Sequence, residues 1–125
     1  MILNNSGHII NMSSLAGKKG IVKGGAYCAS KFGIAGFTEV LALECIEYNI
    51  KVSAIYPGIV DTPFHGSVKD TSWMLTPEDV AKFVVETASS SSNTVASEII
   101  IKPLATGPAK KKTDAGPSLP PCHVV

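Results

Sequence analysis

Charge is scarce in this chain. Acidic and basic side chains make up 17% of the 125 residues and nearly cancel, leaving a net charge of +1. A balance that even gives no field to draw nucleic acid or an acidic partner. Cysteine is scarce too. Cys28, Cys45 and Cys122 form neither a C-x-x-C pair nor a disulfide-like rhythm, which excludes a disulfide scaffold. No apolar run approaches the ~20 residues a membrane helix needs, and no signal-peptide pattern opens the sequence. The expectation is a cytoplasmic protein with reduced thiols, in which the N-x-S sequons at Asn4 and Asn11 go unglycosylated. Apolar residues, by contrast, reach 45%. That is enough for a core and argues against global disorder, and the length allows one domain.

Ile9 to Met12 is a short apolar run between Gly7 and a pair of serines, the pattern of a buried strand. A glycine-rich loop from Gly17 to Gly25 leads into a helical stretch from about Tyr27 to Tyr48. Phe32, Ile34, Phe37, Val40, Leu41, Leu43 and Ile46 leave that helix no continuous polar stripe, so it is expected to be buried on two sides. One side would cover a sheet and the other would meet a partner subunit. Lys51 to Tyr56 alternates weakly and stops at Pro57-Gly58, a second strand. A loop with Phe64, His65, Trp73 and Met74 follows. Thr76-Pro77-Glu78-Asp79 then opens a second helix, with Thr76 as N-cap and Pro77 at the first helical position. Val80, Phe83, Val84, Thr87 and Ala88 are expected on its inner face. Ser89 to Asn93 is a polar linker, and Glu98 to Lys102 reads as a third buried strand. Strand–helix–strand–helix–strand with short links predicts an α/β fold with a parallel sheet. From Ala105 to Val125, prolines, small residues and a Lys110–Lys112 run predict a disordered tail.

The first strand and first helix carry a chemical pattern. Tyr27 and Lys31 are four apart, so on a helix they share a face with Cβ atoms ~5–6 Å apart. A free phenol titrates near ~10, too high for ready proton exchange at neutral pH. A cation one turn away stabilises the phenolate, so the pair suits general acid–base work. Ser14 ends the first strand on the edge where open α/β sheets hold ligands. Taken singly, Y-x-x-x-K is more often a solvated helix face, and a serine at a strand end is more often a turn residue.

The combination is more specific. "NMSSLAG", thirteen residues from Ser14 to Tyr27, "YCASK", and "PGIVDTP" after the next strand resemble the short-chain dehydrogenase/reductases, over Gly7 to about Leu104. The resemblance implies the carboxyl-terminal half of a Rossmann-type sheet with flanking helices. It implies Ser14, Tyr27 and Lys31 as the catalytic serine, tyrosine and lysine. Tyr27 would exchange a proton with the substrate oxygen, Lys31 would bind the nicotinamide ribose and ease proton loss from the tyrosine, and Ser14 would orient the carbonyl. Tyr27, Lys31, Pro57, Gly58, Ile59 and Thr62 match the family's cofactor contacts. The cofactor implied is NADP or NAD, with NADP favoured, and the substrate a small carbonyl or alcohol. Pro63 to Leu75 matches the substrate lid, with Phe64, Trp73 and Met74 as an apolar wall. "MLTPEDVAKFVV" and "SEIIIKPL" are most similar to NADP-dependent hydroxy-acid and carbonyl reductases. No metal is implied, and the long helix would serve homo-oligomer formation.

The sequence also departs from the family. It holds no T-G-x-x-x-G-x-G turn, the element that seats a pyrophosphate on a helix N-terminus. It lacks the N-N-A-G segment and the asparagine that precede the serine strand, and "NNSG" at Asn4 to Gly7 reads as a turn. Residues 1–104 are therefore expected to be a partial domain, with Met1 an internal methionine taken as a start. The competing reading is a non-catalytic half-domain that pairs through the Tyr27–Tyr48 helix. Cys122 to Val125 fits a loose C-a-a-X pattern, but His123 is a poor aliphatic position, and no membrane association is expected.

Overall fold

The computed structural model describes residues 1–66 and 68–107. Five main elements follow one another: β1 (Gly7–Met12), α1 (Gly25–Cys45), β2 (Ile50–Pro57), α2 (Pro77–Ala88) and β3 (Glu98–Ile101). The strands form a parallel sheet in the order β1-β2-β3. Gly7 to Met12 lie opposite Ile50 to Ile55, and Ala54 to Pro57 opposite Glu98 to Ile101. The order of elements is the one expected from the sequence.

The weak alternation of K-V-S-A-I-Y has a simple cause. β2 is the central strand, and every residue in it except Lys51 is buried, so neither face needs polar side chains. Ala54 and Tyr56 on one face pack against Ala35 of α1. Ile55 on the other packs with Leu75, Val80 and Ile101. The turn read at "NNSG" is also present, with Asn5 in the left-handed region at φ 47°.

Three packing expectations change, on β1, α2 and β3, while α1 leaves open in the single chain the side expected to meet a partner. β1, expected to be buried, is only half-buried and Met12 is exposed, because it forms the other edge of the sheet. α1 buries Cys28, Ala35, Thr38 and Cys45, while Phe32, Phe37, Val40, Leu43 and Ile46 are 47–77% exposed. The helix is covered on one side here, and its bulky residues point away from the sheet. On α2, Val80 and Thr87 are buried and Val84 packs against the core, but Phe83 and Ala88 are exposed. β3 is an edge strand with only Ile101 buried, and Glu98 and Ile100 are exposed because the sheet ends there. No helix among the described residues is long and apolar enough to cross a membrane. Lys110–Lys112, Cys122 and most of the expected tail lie outside the described residues.

Candidate active site

β1 delivers two serines to the carboxyl edge of the sheet. Ser13 ties the strand end to both neighbours: its N–H donates to the Ile55 carbonyl at 2.9 Å, and its hydroxyl to the Lys31 carbonyl at 2.9 Å. Ser14 has extended backbone and caps the short 3-10 turn Leu15–Gly17, its Oγ accepting from the Ala16 N–H at 3.1 Å. Gly17 is required by space. A Cβ there would stand 2.5 Å from Ser13 Oγ and 2.6 Å from the Lys31 carbonyl oxygen, so any side chain would force the serine loop away from α1.

Tyr27 sits in the first turn of α1, and Lys31 lies one turn further on. The Lys31 ammonium donates to the Met12 carbonyl at 3.2 Å and stands 5.8 Å from the centroid of the Tyr27 ring. An ammonium has three donors, so this lysine keeps capacity for a ligand. At the end of β2, the Gly58 N–H donates to the Ile101 carbonyl at 2.7 Å. A Cβ on Gly58 would meet Pro103 Cδ at 3.0 Å, which makes glycine fit the tight exit from the strand. The chain then turns back through an isolated bridge between Val60 and Leu75. That bridge holds Thr62, whose Oγ1 lies 3.4 Å from the Val60 carbonyl oxygen, over the sheet edge.

Two cavities adjoin Tyr27. One, of about 220 Å³, is lined by Ser14, Tyr27, Lys31, Pro57, Gly58 and Thr62 among others. The second, of about 550 Å³, shares Ser14, Tyr27, Gly58 and Phe64 and adds the apolar walls Leu15, Ile21 and Ile59. The structure thus gathers the residues nominated from the sequence, with Ile59 on the second cavity rather than the first. Trp73 and Met74 line neither. Met74 is buried, and Trp73 Nε1 donates to the Asp70 carbonyl at 3.0 Å. Phe64 lies against the Tyr27 ring, centroids 5.4 Å apart, and His65 meets Phe64 edge-on at 5.4 Å.

His65 lines both cavities, and the sequence reading gave it no role; a lone histidine beside a lid phenylalanine carries no spacing signal. Ser13 also went unassigned; it locks the strand end and lines the smaller cavity beside Ser14. Chemically, the site brings a phenol, a hydroxyl and an ammonium around one space bounded by apolar walls. Among the described residues there is no group of three His, Cys, Asp or Glu side chains that could hold a metal.

Comparison with known proteins identifies the family. The short chain dehydrogenase family model matches residues 1–73. Sepiapterin reductase of Chlorobaculum tepidum is 39% identical over 101 residues, covering 79% of this chain and 41% of that protein. The NADP-dependent 3-hydroxy acid dehydrogenase of Schizosaccharomyces pombe is 34% identical over 110 residues, covering 79% of this chain and 42% of that protein. Among solved structures, the closed form of a serine dehydrogenase complexed with NADP+ superposes with a TM-score of 0.78. It is 26% identical, covering 93% of this chain and 52% of that one. The chain thus spans about two-fifths to half the length of these relatives.

Proposed function

The chain belongs to the short-chain dehydrogenase family, and from that premise we propose that it carries the proton-transfer side of an NAD(P)-dependent oxidoreductase acting on a carbonyl or alcohol carbon. The observation that carries the reading is the convergence of Ser14, Tyr27 and Lys31 on one cavity at the carboxyl edge of the sheet. Nothing in packing requires those three groups together.

The residues present fit the nicotinamide end of a dinucleotide. The Lys31 ammonium and the Tyr27 and Thr62 hydroxyls supply polar partners for ribose and carboxamide around a space of about 220 Å³. Pro57 and Gly58 form the floor, and the Ile59 backbone follows them. When bound, the nicotinamide supplies or accepts the hydride. Tyr27 passes a proton to or from the substrate oxygen, Ser14 holds that oxygen by a hydrogen bond, and Lys31 keeps positive charge beside the phenol. NADP is favoured over NAD because two of the similar proteins carry it in their names. The apolar walls Leu15, Ile21, Ile59 and Phe64 favour a small substrate with an apolar group on its carbonyl carbon. In this reading residues 1–104 act as part of a larger domain, and the protein works in the cytoplasm.

The test is isotopic. The full-length protein would be incubated with a small panel of ketones and with NADPH, then NADH, each carrying deuterium at the reactive carbon. Deuterium in the product alcohol, measured by mass spectrometry, is the expected result. No label transfer from either cofactor to any ketone would sink the assignment.

A second reading has its own observation, the outward bulky face of α1. Phe37 is 60% exposed and Leu43 77%, and side chains of that size in a row fit a second copy of the chain. Such pairing would serve an active homo-oligomer or a non-catalytic pairing module. Leu43→Lys should convert an oligomer to monomer in sedimentation velocity. Label transfer in the isotopic test separates the two variants of this reading.

A further inference from the structure

We propose that Lys18, Tyr56 and Glu98 form a positioning network that fixes the Ser14 turn against the Pro57–Gly58 turn, and so sets the width of the site between them. The inference rests on the oxidoreductase reading above for its kinetic consequence, but not for its structural one.

The three residues come from the three segments that meet at the site. Lys18 closes the 3-10 turn that Ser14 opens, its N–H donating to the Leu15 carbonyl at 3.0 Å. Tyr56 immediately precedes Pro57 and Gly58. Glu98 begins β3, opposite Ala54, and three residues later Ile101 accepts the Gly58 N–H at 2.7 Å. The side chains join these segments. The Lys18 ammonium pairs with Glu98 Oε1. The Tyr56 hydroxyl donates to that same oxygen at 3.0 Å, and Lys18 Nζ stands 4.4 Å from the centroid of the Tyr56 ring. One carboxylate oxygen therefore gathers two donors, and the lysine is held by charge and by an aromatic face at once.

Burial separates the parts played by the members. Tyr56 is 1% exposed, so its hydroxyl needs a partner, and Glu98 is the partner it has. Burial and the Glu98 hydrogen bond raise the phenol above its ordinary value, keeping it a donor. The hydrogen bond from Lys18 lowers the Glu98 carboxyl, keeping it an acceptor. Lys18 and Glu98 are themselves 33% and 41% exposed, and an ion pair that wet contributes little to global stability. What it does contribute is location. Ser14 Oγ takes its orientation from the turn that Lys18 anchors, and Gly58 takes its place from the strand that Glu98 starts. A closed circuit runs from Ser14 through Lys18, Glu98, Ile101 and Gly58 to the opposite wall of the cavity. Misplacing a reacting group by ~1 Å costs about a hundredfold in rate, so a partial loosening should be felt in turnover.

Two variants of the full-length protein test this, Lys18→Met and Glu98→Gln, with Lys18→Arg as the rescue. Amide hydrogen exchange is read at Ala16, Gly17 and Gly58, together with melting temperature. In Lys18→Met, exchange should quicken at both turns while the melting temperature stays within about 2 °C, as expected of an exposed pair. With NADPH and a ketone, kcat should fall about tenfold with cofactor KM little changed, and Lys18→Arg should recover most of both effects. Unchanged exchange at Gly58 and Ala16 in Lys18→Met overturns the network. So does a kcat loss that Lys18→Arg does not repair. If Glu98→Gln fails to fold, Lys18→Met still decides, because its side chain is partly exposed. If the protein reduces no ketone, the exchange result still stands or falls alone, and it is the oxidoreductase reading that fails.

Discussion

The two helices meet the same sheet by opposite means. α2 follows local rules throughout. Thr76 and Asp79 form a reciprocal capping box, Pro77 opens the first turn, two acids stand at the positive end of the dipole, and Val80, Val84 and Thr87 turn inward. α1 has a glycine N-cap with no side-chain hydrogen bond and no acid in its first turn. Its inner stripe is small, with Ala35, Thr38 and Cys45 against β2 and β1, and its large residues face out. Tyr27 and Lys31 continue that inner stripe to the site edge. An acid in that turn would compete for the Lys31 ammonium, and large inward residues would lift the helix off Ala54 and Tyr56. On the function proposed above, α1 is shaped by the side chains it brings to the site, α2 by its own stability.

That contrast predicts where substitution affects rate and where it affects stability. The largest effect belongs to the α1 end. Tyr27→Phe keeps the ring and its contact with Phe64 and removes only the hydroxyl. In the full-length protein kcat should fall by roughly 10²–10⁴, the usual contribution of general acid–base catalysis, with melting temperature unchanged. Near-normal turnover would take Tyr27 out of the chemistry. Next in size is cofactor binding by the 125-residue chain alone, which holds no glycine-rich pyrophosphate turn. Lys31, Thr62 and the Pro57–Ile59 backbone offer a few hydrogen bonds at ~0.5–1.5 kcal/mol each, against an association cost of ~4–15 kcal/mol. NADPH fluorescence titration should show millimolar affinity or weaker, and a micromolar Kd would show that these residues suffice without that turn.

Gly17→Ala moves from rate to structure. Its Cβ would press on Ser13 Oγ and on the Lys31 backbone, so the serine loop and α1 must part. Overpacking of this kind costs about 1–3 kcal/mol. A urea midpoint unchanged from wild type would mean that the loop already has room, and that the close approach of Ser13 to Lys31 is not what holds α1 in place.

The same contrast explains what the sequence made legible. α2 was readable almost to the residue at its start, because Thr76, Pro77 and Asp79 act through bonds within four residues. The strands were readable from Ile9–Met12 and Lys51–Tyr56 because apolar runs ended at serine, proline and glycine. The inner face of α1 was not, since a helix apolar all round gives no phase; only the position of Tyr27 and Lys31 on the site side fixes it, and that is a chemical constraint. Phe83 misled because periodicity places it beside Val80 and Val84 but does not say how far the sheet extends beneath. Lys18, Tyr56 and Glu98 were invisible for a different reason. They lie 38 and 42 residues apart in the chain, and no short-range pattern joins a loop lysine to the first residue of an edge strand.

The smallest predicted effect lies on α2 and carries a pH signature. Thr76→Ala removes the hydroxyl that accepts the Asp79 N–H at 3.1 Å, and loss of such a cap costs about 1 kcal/mol. Asp79 answers from the other side, its carboxylate accepting the Thr76 N–H at 2.8 Å and the Thr76 hydroxyl at 2.8 Å. Those bonds, the backbone one first, hold the Asp79 carboxyl below its ordinary value of 3.8. A carboxyl lowered on folding contributes stability that is fully present above its unfolded value and is lost as pH falls through the folded one. Wild type and Asp79→Asn should therefore differ in urea midpoint at pH 7, with wild type the more stable. The two curves should approach each other only below about pH 4, as the carboxyl takes up its proton. Turnover per folded molecule should be unaffected, because α2 sends no side chain to either cavity at Tyr27. A gap that persists unchanged to pH 2 would show that the asparagine weakens the helix for reasons other than the lost charge. A fall in kcat with either variant would end the division of labour between the helices, since it would tie the α2 cap to the site through Leu75 and the Val60 bridge.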